Sequence, residues 1–131
     1  MQAKPTALIL RWFPSLILMA VIFFLSGQPA SNLPFFGEYD VLIKKLGHAT
    51  GYALLGLAYY FALPPRLRVG YRWALALLMA ILFALSDEFH QSFIEGRTSS
   101  LVDVLIDTAG AASALSIGSV YSSNSSSKSS S

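Results

Sequence analysis

The sequence predicts an all-α membrane protein, a compact bundle of four transmembrane helices with both termini on the cytoplasmic side. Three observations carry this expectation. The chain has 131 residues, 54% hydrophobic and only 12% charged, with a mean hydropathy of +0.57. Soluble domains run nearer a quarter charged, and so small a chain has too much surface to cover with so few polar groups. Four apolar stretches of about 17–21 residues recur along it, each roughly 25–32 Å long as helix, which matches a hydrocarbon core. Pro and Gly residues fall between the stretches, where turns belong. Lipid must therefore cover much of the surface.

The first stretch, residues 7–25, is closed by Gly27, Pro29, Asn32 and Pro34. Its rival reading is a cleaved signal peptide, with Lys4 and Arg11 ahead of the apolar run and small residues near Ala30. The run to Leu25 is long for a signal core and contains Pro14, which favours a retained helix. The second stretch, residues 47–63, stops at Pro64 and Pro65. The third, 73–90, and the fourth, 101–121, are separated by Gly96. In lipid each must be helical, because every backbone group needs an internal partner. Residues 1–121 thus form one domain. Residues 122–131 are eight Ser with one Asn and one Lys, which cannot bury apolar surface and are predicted to be a disordered tail.

Basic residues set the orientation. The second connection carries Arg66, Arg68 and Arg72 with no acid, the N-terminus carries Lys4 and the tail Lys128. An even number of spans puts these on one side, which the positive-inside rule makes cytoplasmic. Lys44 and Lys45 in the first connection count against it. The net charge of +2 is dispersed rather than gathered in a patch, so it gives no footing for nucleic acid. Cys is absent, so there is neither a disulfide framework nor a thiolate metal site.

With this topology the polar residues fall at one membrane depth. His48 and Tyr52 open the second helix, Asp87, Glu88, His90 and Gln91 end the third, and Asp103 and Asp107 start the fourth. Ser26 and Gln28 end the first. The hairpin order requires this whichever way round the protein lies. Residues three and four apart share a helix face, so Asp87, His90 and Gln91 form one face, Asp103, Asp107 and Gly110 a second, and His48 and Tyr52 a third. A charged group at the bilayer centre costs about 2.5–3.5 kcal/mol on insertion scales. Turning these groups inward, or pairing them with His48, His90 or Arg97, is cheaper than facing lipid. The sequence therefore predicts a shared, outward-opening polar pocket.

Plainer readings exist for most of these residues taken singly. A lone His at a helix end is commonly a cap or interfacial residue. Asp87 and Glu88 could be a solvated helix end, Glu95 and Arg97 a loop pair, and Asp103 a favourable charge at a helix N-terminus. Asp107, about 9 Å into its helix, resists such treatment best. Trp12, Trp73, Tyr59, Tyr60 and Tyr71 read as interface anchors. Small residues at four-residue spacing (Gly110, Ala114 and Gly118; Ala49, Ala53 and Gly56) favour close helix packing, and the first set also suits a homo-oligomer contact.

The pattern Lys45-x-x-His48-x-x-x-Tyr52-x-x-Leu55, then Asp87-Glu88-x-His90-Gln91-x-Phe93-x-x-Gly96-Arg97, then Asp103-x-x-x-Asp107-x-x-Gly110 resembles the VanZ-like family of small bacterial integral membrane proteins. Ser26-x-Gln28 fits the pattern too, and the similarity covers roughly residues 18 to 115. Two positions depart from it: Glu95 stands where many members carry Pro, and Asp107 stands where Asn is frequent, which adds local negative charge. The resemblance implies a multi-pass protein of the bacterial inner membrane and a link to the cell envelope or to glycopeptide resistance of the teicoplanin type. It implies no defined reaction.

The candidate ligand-binding residues are His48, Tyr52, Asp87, Glu88, His90, Gln91, Arg97, Asp103 and Asp107. The preferred function is non-enzymatic: binding an envelope lipid, a lipid-linked envelope precursor or its head group, with Arg97, Lys44 and Lys45 suited to phosphate. A structural or assembly role ranks next. A membrane-embedded hydrolase or transferase built on the carboxylates and histidines ranks last. No catalytic residue, metal site or cofactor is assigned, since no compact metal-binding motif such as His-Glu-x-x-His occurs.

Overall fold

The computed structural model describes residues 5–29, 34–94 and 101–129. Among these every regular element is helical: α1 (Pro5–Ser26), α2 (Asp40–Ala62), α3 (Val69–Gln91) and α4 (Leu101–Ser129), with a single 3₁₀ turn at Gly37–Tyr39 leading into α2. Three segments are long and apolar enough to cross a membrane: Ala7–Ser26, Val69–Gln91 and Leu101–Tyr121. α2 is not among them. Its Gly, Tyr and His residues lower its apolarity, and the packing explains why the chain tolerates this. α2 lies against α1, α3 and α4 together, so Tyr52, Leu55, Gly56, Tyr59 and Tyr60 are buried against protein rather than exposed to lipid.

α1 is the outlier. It packs on α2, touches α3 sparsely and makes no contact with α4 among the described residues. Only 6% of its apolar segment is buried in the bundle, so most of its Leu, Ile and Phe side chains face outward. The core is formed instead where α2, α3 and α4 meet. Ala76, Ala80 and Ala84 make a buried stripe along α3, and Ala111 and Leu115 of α4 pack beside Leu55 and Gly56 of α2. Small residues let these backbones approach, and dispersion contacts accumulate where lipid supplies no hydrophobic drive. Gly110 marks the closest approach: a Cβ there would sit 2.4 Å from the Ala49 carbonyl oxygen. Gly118 faces the end of the Leu57 side chain, Cδ2, rather than backbone. The small-residue stripe of α4 thus packs against α2 of its own chain.

Several helix limits differ from those the sequence predicts. α2 begins at Asp40 rather than near residue 47, so Lys44 and Lys45 belong to a helix and not to a connection. Asp40 secures that start. Its Oδ1 accepts from the Phe36 N–H at 3.2 Å, and its Oδ2 accepts from Lys44 Nζ at 3.0 Å. The Lys44 bond holds the Asp40 carboxyl below its usual value. The pair is therefore kept above the ordinary carboxylate range and lost as pH falls through the lowered value. Gly37, at φ +68°, supplies the left-handed turn just before. α4 continues as helix through Ser129, beyond the Tyr121 limit and into the predicted disordered tail. Extending an existing helix adds one hydrogen bond per residue, whereas only nucleation is costly, so even Ser can prolong it.

The other end of α2 is closed by arginines. The last carbonyls of a helix lack intrahelical partners. Arg72, on α3 and not in the connection where the sequence reading counts it, is buried. It donates to the Tyr60 carbonyl from Nε at 3.2 Å and Nη2 at 2.8 Å, with its guanidinium 4.2 Å above the Tyr60 ring. Arg11 of α1 donates to the carbonyls of Phe61 and Leu63. Cations at a helix C-terminus also oppose the negative end of its dipole. Arg66 and Arg68 are left exposed on the turn.

A backbone contact cannot move aside as a side chain can. Gly110→Ala should therefore cost about 1–3 kcal/mol, the usual range for overpacking, read as a lower thermal midpoint in detergent. Gly47→Ala, where a Cβ meets nothing within 4 Å, should leave the midpoint unchanged or raise it.

Candidate functional site

Asp87, near the end of α3, is fully buried, and three helices meet on it. Its Oδ2 accepts a hydrogen bond from Ser26 Oγ of α1 at 2.8 Å and a longer one from Tyr52 Oη of α2 at 3.3 Å. The Tyr52 ring is held by Phe83, at a centroid distance of 6.0 Å, and by His48, at 6.1 Å. His48 lies one turn before Tyr52 and places Nδ1 3.5 Å from Asp107 Oδ1 of α4. That approach is too long for a good hydrogen bond. Asp107 is 1% exposed, and Asp87, Asp107 and His48 lie within electrostatic reach of one another. The polar residues of the four helices do converge at one end.

Around this centre the remaining candidates divide. Lys45 pairs with Asp103 at 2.9 Å, joining α2 to α4. His90 stacks on Phe23 of α1 at 4.1 Å, and its ring also lies against Gly27. Glu88 and Gln91 are buried beside Asp87 on α3. Asp87 and Glu88 are therefore not a solvated helix end. Arg97 and Glu95 lie outside the described residues. Lys44 and Lys45, offered by the sequence as phosphate ligands, are each engaged by a carboxylate, Asp40 and Asp103 respectively.

Ser26 is the main residue missing from the predicted set. The signal was available: it closes the first helix at the depth of Asp87, and a hydroxyl is a natural donor to a buried carboxylate. Phe23 could not be singled out from an apolar run, because nothing in a sequence says which of several Phe will meet a histidine.

The centre is short of donors. Among the described residues Asp87 Oδ1 and both carboxylate oxygens of Asp107 are buried without a hydrogen bond, as is His90 Nδ1. An unsatisfied buried acceptor costs about 1–3 kcal/mol, and more when it is charged. Among the described residues no group of three or more His, Asp or Glu is placed to hold a metal ion.

A family model described as VanZ/LLP1 matches residues 11–121. The chain belongs to the VanZ/LLP1 family. No curated protein and no solved structure matches it. The matched region includes every helix that contributes to the polar centre. As a VanZ/LLP1 member with three helices apolar enough to cross a bilayer, the chain is a membrane protein.

Ser26→Ala removes the shorter of the two hydrogen bonds on Asp87. It should lower stability by about 1 kcal/mol, visible in detergent melting, while Ser26→Thr should retain most of the wild-type value. Equal midpoints for the Ala and Thr variants would mean that the Ser26 hydroxyl does not support Asp87.

Proposed function

We propose that this VanZ/LLP1 protein is a four-span bundle of the bacterial inner membrane, with both termini cytoplasmic. Its acidic end binds an envelope lipid, or the head group of a lipid-linked envelope precursor, without covalent chemistry. The observation that carries this reading is the convergence of Ser26, Tyr52, His48, Asp87 and Asp107 from four helices, with both carboxylates buried. Ionisable groups inside a membrane protein are expensive, and their retention points to function. Polar glue alone does not explain carboxylate oxygens that are buried without a hydrogen bond among the described residues.

The inclusion of α2 among the spans is supported by its position against the other three helices, which gives its polar residues protein neighbours. The orientation is supported by Arg66 and Arg68 on the α2–α3 turn, with Arg11 and Arg72 at the same end. The chain contains no Cys, so single-cysteine labelling has no background. Phe36→Cys should react with a membrane-impermeant maleimide in intact spheroplasts, and Arg66→Cys only after lysis. The opposite pattern would invert the orientation, and labelling of both from outside would overturn the four-span reading.

Family membership makes the physiological test a deletion strain challenged with teicoplanin and other cell-wall antibiotics. Wild-type protein should restore the parental sensitivity profile. Asp107→Asn, at normal abundance in the membrane, should fail to restore it. Full complementation by both Asp87→Asn and Asp107→Asn would remove the polar centre from the function.

A further inference from the structure

We infer that the group received between Asp87 and Asp107 is a primary ammonium, so the ligand of this end is amine-bearing. The inference rests on the reading of the acidic end as a head-group site and names the chemistry of the part that enters it.

The argument is one of donors and acceptors. Asp87 Oδ2 is occupied by the Ser26 and Tyr52 hydroxyls. Three carboxylate oxygens are left over: Asp87 Oδ1, Asp107 Oδ1 and Asp107 Oδ2, all buried and without a hydrogen bond among the described residues. Lys45 of α2 places its ammonium on Asp103, at 2.9 Å. His48 Nδ1 faces Asp107 Oδ1 at 3.5 Å, too far for a good hydrogen bond. What the centre lacks among the described residues is therefore further positive charge and N–H or O–H donors within bonding distance. A phosphate brings neither; it adds acceptors and negative charge to a region already acidic. A quaternary ammonium brings charge without donors. A primary ammonium brings one positive charge and three donors, which matches the three free oxygens. Charge-assisted bonds of this kind are about twice as strong as neutral ones.

Both carboxylates are closed to solvent, so an element has to yield for the ligand to enter. α1 is that element. It is the least packed helix, and at this end it is held by the Ser26–Asp87 bond and the Phe23–His90 stack. An arriving ammonium can replace the Ser26 donor on Asp87 as it enters.

Two sources share this chemistry, the head group of an ethanolamine lipid and a free primary amine. The test uses the full-length chain purified in detergent and native mass spectrometry. Phosphatidylethanolamine, phosphatidylcholine and phosphatidylglycerol with identical acyl chains are offered together. The ethanolamine lipid should be retained about tenfold over the choline and glycerol lipids, a factor worth about 1.4 kcal/mol. Asp107→Asn should bring that ratio close to one, and the exposed-end variant Glu38→Gln should preserve it. Asp87→Asn provides a second variant if the first melts early. Soluble ethanolamine is added in a separate arm. Displacement of the lipid shows that the amine alone suffices, and retention of the lipid assigns the site to the whole head group; either supports the ammonium. Equal retention of the ethanolamine and choline lipids by the wild type would overturn the inference. So would a preference that survives both Asp variants. Selective retention of phosphatidylglycerol, lost on mutation, would overturn the ammonium and leave the head-group reading standing. Retention of no lipid at all would overturn the head-group reading itself.

Discussion

A carboxylate placed at membrane depth has to be solvated by protein, and much of this structure follows from how Asp87 and Asp107 are treated. Lipid offers no hydrogen bonds, so each oxygen turned outward would go unsatisfied. Asp87 is met by a hydroxyl from α1 and another from α2. Asp107 is turned toward His48 on α2. α2 therefore has to lie between the other helices, because among the described residues it is the element that faces both carboxylates, through Tyr52 and His48. That position in turn buries much of α2 against protein, and its sequence can carry Gly, Tyr and His there. The polar centre and the weaker apolarity of α2 have the same cause.

The close packing of α2 on α4 is a second consequence. His48 reaches Asp107 because the two backbones come near one another, and Gly110, one turn beyond Asp107, is where the Ala49 carbonyl nearly touches α4. Any side chain at residue 110 would push the helices apart just beside the His48–Asp107 approach. The glycine belongs to the site as much as to the fold.

Much of this was legible in the sequence. The four helices follow from apolar length and the Pro and Gly breaks, and the shared depth of His48, Asp87 and Asp107 follows from hairpin order alone. Helix limits were less legible, because apolar content marks where lipid lies and not where a helix ends. Asp40 starts α2 through local hydrogen bonds that a hydropathy reading ignores, and α4 runs on through polar Ser by propagation. Partner choice was least legible. The sequence offers Lys44 and Lys45 as cations for a ligand, and only three-dimensional placement assigns them to Asp40 and Asp103. Arg72 likewise reads as a loop charge until the Tyr60 carbonyl and ring are found beneath it.

The two ends of the bundle are chemically unlike, and the difference bears on which is functional. At the end of α2 near Leu63, unsatisfied backbone acceptors meet Arg11 and Arg72, so groups that a helix leaves open by necessity are closed by side chains placed for the purpose. At the other end the chain introduces acceptors that no helix requires. A structural centre would be expected to satisfy its own carboxylates, as the arginines satisfy the carbonyls, because an unbonded buried acceptor only lowers stability. Among the described residues Asp107 has His48 facing it at 3.5 Å but no hydrogen bond on either oxygen, whereas Lys44 and Lys45 meet their acids at 3.0 and 2.9 Å. An Asn at this position would carry donors of its own; the carboxylate gives them up and adds charge. Stability alone gives no reason for that exchange, whereas a ligand that brings donors and positive charge does.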